Sequence, residues 1–126
     1  MFDMPGTLYV YRSYGVHWCA NVVTGPLGVG AAVLLRGGSP LIGEQVMAER
    51  RGRSNHLCDG PGKLSQAMGL DQSVTGIDLL AKGSPVRLIA NRSPSNYRVG
   101  PRVGITRAID RPWRFRSVNI RAGLPE

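Results

Sequence analysis

The apolar positions fall into short runs punctuated by glycine and proline, which predicts strands and tight turns before it predicts helices. Residues 7–12 (TLYVYR) carry aromatic and β-branched side chains between turn formers, a strand pattern. Ser13-Tyr14-Gly15 interrupts that run and residues 16–23 (VHWCANVV) resume it. Two strands joined at a tight turn around Tyr14-Gly15 follow, with the glycine supplying any positive φ the turn requires. TGPLGVG marks a second turn, and residues 31–36 (AAVLLR) a third strand whose unbroken apolar run implies burial on both faces.

Ser39-Pro40 has the form of a helix start, with serine as N-cap and proline at the first helical position. Leu41, Ile42, Gln45, Val46 and Met47 continue it, and Arg50-Arg51-Gly52 should end it. The two arginines suit the negative end of the helix dipole and Gly52 suits a left-handed cap. Residues 52–60 read as a loop. Residues 63–68 read as a short helix, opened by Gly60-Pro61-Gly62 and closed by Gly69. Residues 85–90 (PVRLIA) and 113–118 (WRFRSV) read as strands with Gly/Pro-rich loops between them. The sum is an α+β fold in a single domain over residues 1–126. It is mostly antiparallel strands with a protruding β-hairpin and a few short helices.

Charge narrows the partners. Sixteen Lys and Arg face eight Asp and Glu, for a formal net charge of +8. Only Lys63 and Lys82 among the cations are lysines, and arginine is the residue that forks onto phosphates and stacks on flat rings. Nine of the arginines lie after residue 86, where the only acids are Asp110 and Glu126. A polyanion, and first of all a nucleic acid, fits that distribution; an arginine-rich solvated surface is the plainer alternative. Cys19 and Cys58 are too few for a metal site. The first residues lack the charged-then-apolar layout of a secretory signal, so two free thiols in a reducing cytoplasm are expected rather than a disulfide.

The run PGTLYVYRSYGVHWCANVV resembles a hallmark of the alkyladenine (3-methyladenine) DNA glycosylase family. The resemblance continues through GAAVLLRGGSPLIGEQVMAERRG, LCDGPGKLSQAMGLD, GIDLL and PRVGITRAIDRPWRF, in the family's order and close to its spacings. It covers most of residues 2–115. It implies a metal-free, cofactor-free monomer that extrudes a damaged purine from double-stranded DNA and hydrolyses its bond to the sugar. It also implies a cytoplasmic, nucleoid-associated location.

Onto the matching positions the resemblance carries the following roles. Tyr14 stands where the family places its intercalating wedge. Tyr11 corresponds to a tyrosine that stacks on the flipped base, where an aromatic face suits a ring made cationic by alkylation. Tyr9, two residues earlier on the same strand face, could serve the same purpose. Asn21 matches an asparagine beside the minor-groove edge of the purine, which would clash with the amino group of guanine and tolerate adenine or hypoxanthine. Arg36 and Ile105 match residues that hold the catalytic water. Lys63, at a helix start after Gly-Pro-Gly, matches loops that grip the DNA backbone. Met alone, each residue has a plainer reading as a turn, core or strand-edge side chain.

The family's general base is a glutamate in an Ile-Val-Glu-Thr-Glu-Ala-Tyr type strand upstream of the wedge hairpin, and no such motif occurs among these residues. The matched fold is therefore expected to be incomplete at its N-terminus, with an unpaired sheet edge and half a pocket. A gene start placed too late, a fragment or decayed copy, and a duplex-DNA-binding module without base-excision chemistry are the competing accounts; an arginine-rich RNA-binding domain is a weaker one. After Phe115 the chain also leaves the family's Gly-x-Pro-x-Val-Ser type ending.

Overall fold

The computed structural model describes residues 3–13, 17–90, 97–101 and 114–117. Its contacts group the chain into two units, Met1–Ile89 and Ala90–Glu126. The fold is α+β with antiparallel sheets.

In the first unit β1 (Leu8–Ser13) pairs antiparallel with β2 (His17–Val23), from Leu8 opposite Val22 to Ser13 opposite His17. Side chains alternate across a pleated strand, so this register sends Leu8, Val10 and Ala20 to one face and Tyr9, Tyr11, Cys19 and Asn21 to the other. The first face makes the main core. Leu8, Val10 and Ala20 are buried there with Leu70 and Leu79, and Trp18, Val22, Val74 and Ile77 pack around them. Cys19 and Cys58 are both buried free thiols, as expected. Burial pushes the Cys58 thiol above its ordinary value, with the nearby Arg51 charge opposing it.

The outer edge of β1 is covered along part of its length. The Leu8 N–H donates to the Ile77 carbonyl, the Gly76 N–H to the Leu8 carbonyl, and the Leu79 N–H to the Gly6 carbonyl. The segment after the second helix thus lies along β1 as a partial strand, bridged at Thr7 and Asp78. A 3-10 turn at Gln72–Val74 feeds it. Asp71 caps that turn, taking hydrogen bonds from the Ser73 hydroxyl and the Ser73 N–H, which hold its carboxyl below the usual carboxylate range.

β3 (Ala32–Leu34) pairs antiparallel with β2, Val33 opposite Val22. Burial on both faces is overturned: Val33 is 54% exposed. β3 is the outer strand of the order β1-β2-β3, so β2 covers one edge and no further strand follows among the described residues. The first helix also starts later than its serine and proline suggest. α1 spans Glu44–Arg51 and is entered through Gly43 at φ 85°, a left-handed conformation that glycine adopts without strain. Residues 35–41 carry no regular secondary structure, and the Gly38 N–H donates to the Cys58 carbonyl. Ile42 is 86% exposed, so an earlier start would bury nothing apolar.

α2 (Pro61–Met68) closes as expected, with Gly69 in the left-handed region, but it starts two residues before the expected Lys63, because Pro61 enters its first turn instead of preceding it. It packs on β2 and on α1. Leu64 and Ala67 form a second small core with Leu57 and Cys58, and Leu35, Met47 and Ala48 lie against it. Arg50 and Arg51 end α1 as read from the sequence, with Gly52 as its left-handed cap. Their side chains, however, serve the neighbouring helix. Arg50 Nη1 donates to the Ala67 carbonyl at 2.9 Å and Arg51 Nη1 to Gln66 Oε1 at 2.7 Å. Two cations thereby meet the negative end of α2.

Residues 85–90 do not form the expected strand. Leu88 donates to the Leu79 carbonyl, and Leu88 and Ile89 remain exposed, so no ladder forms. In the second unit β5 (Arg114–Ser117) falls within the predicted 113–118. Its antiparallel partner β4 (Tyr97–Gly100) lies in a stretch read as loop. Four residues ending in glycine carry little strand signal of their own, and the pairing is supplied by a segment fourteen residues further on.

Leu8, 1% exposed, and Val33 separate core from edge. Leu8→Ala should cost about 2–5 kcal/mol of unfolding free energy and Val33→Ala about 0.5 kcal/mol or less, read by urea unfolding of the two variants. Equal losses would contradict the packing described.

Candidate base-recognition site

The face of the β1–β2–β3 sheet opposite the main core carries most of the residues singled out from the sequence. Tyr9 and Tyr11, two apart on β1, stack with ring centroids 5.8 Å apart and planes inclined by 28°. Tyr9 is half-buried and Tyr11 is 39% exposed, so the pair presents aromatic surface to solvent. Asn21, directly across from Tyr9 on β2, is only 7% exposed. Its Nδ2 donates to the Cys19 carbonyl at 3.2 Å and to the Tyr9 carbonyl at 3.4 Å. Both donors are spent on the backbone, which fixes the plane of the amide. No described residue donates to its Oδ1.

Arg36 joins this face through register. Leu34 lies opposite Asn21, and the ladder runs one residue further, the Leu35 N–H donating to the Ala20 carbonyl. β3 ends at Leu34, and alternation continued two residues further would carry Arg36 to the Asn21 side. It is half-buried and forms no ion pair or side-chain hydrogen bond with any described residue. A half-buried guanidinium without an acid is a group that keeps its charge available for a ligand, a water or a carboxylate.

Lys63 belongs to a different cluster, in the first turn of α2. Its Nζ lies 3.4 Å from Asp59 Oδ1, and His56 Nδ1 lies 2.6 Å from Asp59 Oδ2. The hydrogen bond from His56, and after it the Lys63 charge, hold the Asp59 carboxyl below its ordinary value. Lys63 is therefore partly neutralised in the free protein, a feature its Gly-Pro-Gly context did not reveal. His56 itself adopts a left-handed φ of 51°. Tyr14 and Ile105 lie outside the described residues.

The sequence reading missed His17 and Thr75. His17 is on the tyrosine side of the hairpin, opposite Ser13, and its ring lies against Gly62, where an added Cβ would come within 3.0 Å of the His17 Cβ and Cγ. The glycine is what lets the first turn of α2 approach the hairpin so closely. Thr75 bonds to β1 from a loop 65 residues away. Nothing local marks either contact.

The ordered sequence blocks agree with what comparison finds. The profile of the methylpurine-DNA glycosylase family matches residues 1–120. The chain belongs to that family. It is 44% identical over 117 residues to a protein of Nitrosospira multiformis, 50% over 118 residues to one of Mycobacterium tuberculosis, and 47% over 117 residues to one of Rhodopseudomonas palustris. Each of those proteins bears the name "Putative 3-methyladenine DNA glycosylase". The matches cover 91% of this chain and 60%, 58% and 56% of the three relatives, so the chain spans less than two thirds of their length.

The Asp59 cluster sets a pH dependence with a definite sign. A carboxyl depressed by folding stabilises the fold above its unfolded value, about 3.9, and loses that contribution as pH falls through its folded value. Amide exchange in residues 56–63 should therefore speed up relative to α1 as pH is lowered from 5 to 3, after correction for the intrinsic rate. Asp59→Asn should flatten that dependence.

Proposed function

We propose that this chain recognises a damaged purine, alkylated or deaminated, extruded from duplex DNA, and serves base excision by a DNA glycosylase. The observation that carries the reading is the Tyr9–Tyr11 stack, open to solvent, beside a buried asparagine whose amide plane is fixed. A flipped base needs a flat apolar wall and a rigid polar group at its edge. The tyrosine faces supply the wall, and their electron-rich surface favours a purine carrying positive charge from alkylation. Asn21, unable to rotate away, rejects a guanine amino group by contact while leaving room for adenine or hypoxanthine. The net charge of +8 suits the DNA backbone, with Lys63 and the distal arginines as phosphate partners.

Cleavage of the N-glycosidic bond needs a water oriented and deprotonated as positive charge develops on the sugar. In this reading Arg36 and Ile105 hold that water. A guanidinium can orient water but cannot take its proton. The acid that does so in the family sits in a motif that these residues do not contain. We therefore assign recognition and water-holding to this chain, and proton removal to a carboxylate outside its eight acids. The same lack of the motif favours a second reading, a duplex-DNA-binding module that finds lesions without excising them.

Binding and release separate the two. Duplexes with and without one hypoxanthine, titrated with the purified chain and followed by fluorescence anisotropy, should show salt-sensitive binding with preference for the lesion. Tyr11→Ala should lower that preference about tenfold, within the range expected for one base–aromatic stack, and change affinity for intact duplex little. Equal losses on both duplexes would sink the stacking role. No hypoxanthine or methylated adenine should be released by these 126 residues alone. Measurable release would show that one of the eight acids replaces the family glutamate.

A further inference from the structure

β1 is the outer strand of its sheet, and an outer strand is a poor place for a rigid stacking pair. Pairing with β2 fixes one edge. On the other, the segment around Gly76 and Ile77 bonds Leu8 through both its N–H and its carbonyl, one residue short of Tyr9. The next outward-facing peptide groups belong to Val10, between the two tyrosines. No backbone reaches them; Thr75 does. Its Oγ1 accepts the Val10 N–H at 3.0 Å and donates to the Val10 carbonyl at 3.0 Å. One hydroxyl, with a single proton and two lone pairs, thus reproduces both bonds of a missing strand partner.

Thr75 is itself held. Its N–H donates to the Gln72 carbonyl at 3.1 Å, and its neighbour Gly76 is tied to Leu8 at 2.8 Å. The Asp71 cap fixes the start of the same turn through Ser73. On the far side of the sheet the Val10 side chain is locked in the main core. Val10 is therefore fixed in three directions: by β2, by the core and by Thr75. The next outward-facing groups, those of Arg12, bond to no described residue, so among the described residues Thr75 is the last tie along this edge of β1.

We infer that Thr75 is a positioning residue for the base-stacking pair: its hydroxyl fixes the peptide groups on either side of Val10, and so holds Tyr9 and Tyr11 in their stacked arrangement. This rests on the proposal that the two tyrosines receive a base. The energy of a stack reaches a ligand in full only when the rings are already in place, since ordering them on binding would consume part of it. Thr75 does not touch the base in this account; it acts through the backbone of β1.

Thr75→Val keeps the shape and removes both hydrogen bonds, whereas Thr75→Ser keeps the hydroxyl. The side chain is exposed, so neither substitution opens a core cavity. In the unliganded chain, Thr75→Val should speed amide exchange at Val10 at least tenfold and shift the Tyr9 and Tyr11 ring proton resonances, leaving those of α1 in place. Preference for hypoxanthine-bearing over intact duplex should fall about tenfold, equivalent to about 1.4 kcal/mol, with intact-duplex affinity unchanged. Thr75→Ser should restore wild-type values in all three. Unshifted ring resonances in Thr75→Val, or a Thr75→Ser that matches Thr75→Val, would overturn the assignment. Exchange at Val10 in the unsubstituted chain gives a check that needs no variant: protection equal to that of Leu8 supports the bond, and exchange at the rate of an open loop refutes it. If the rings respond as stated while the unsubstituted chain shows no preference for the lesion, the base-recognition reading fails and the control of ring geometry by Thr75 stands.

Discussion

The antiparallel pairing of β1 with β2 is the constraint on which the rest of the first unit depends. Its register decides that Leu8, Val10 and Ala20 face the main core, and thereby that Tyr9, Tyr11 and Asn21 face the other way. A shift of one residue would exchange the two sets, burying two tyrosines and exposing the core. Burial of Leu8 and Val10, at about 1.5–3 kcal/mol each, therefore stabilises the candidate site as much as the fold. The site has little choice of position once the core has formed. It is the reverse side of the same strands.

Around that hairpin the structure uses backbone mimicry and helix-end contacts more than additional strands. Residues 76–79 lie along β1 as a partial strand and Thr75 completes the edge with a side chain. Arg50 and Arg51 bind the C-terminal end of α2, and Gly62 lets the start of α2 rest on His17. The Thr75 contact couples the strand of Tyr9 and Tyr11 to a turn 65 residues away, whereas Lys63 is tied locally to Asp59, four residues before it, and through that carboxylate to His56. The tyrosine pair and Lys63 are thus placed on separate supports, an arrangement that suits the proposed reading of one base by a surface that also grips a phosphate backbone.

Arg36 marks where this arrangement asks for something further. It sits half-buried on the recognition face with no acid among the described residues, while Asp59, close in the fold through the Gly37–Cys58 contact, is occupied by His56 and Lys63. In the proposed function the Arg36 charge orients water, and the proton acceptor is a separate group.

Much of this was legible in the residue order. Alternation in TLYVYR and VHWCANVV determined two strands and the shared face of Tyr9 and Tyr11, because side-chain period follows from backbone geometry alone. Glycines at 52 and 69 determined where both helices stop, since the left-handed cap is a local preference. What the sequence could not reach were outcomes set by non-local partners. The apolar run at 31–36 reads as a buried strand, yet with β2 on one edge alone Val33 stays exposed. Ser39-Pro40 reads as a helix start, but no apolar surface is buried there and the helix waits for Gly43. β4 has no signal apart from β5. Thr75 in QSVTGID is an ordinary loop threonine until the fold sets it against Val10, because a hydrogen bond across 65 residues is written in the meeting of two segments and in neither one alone.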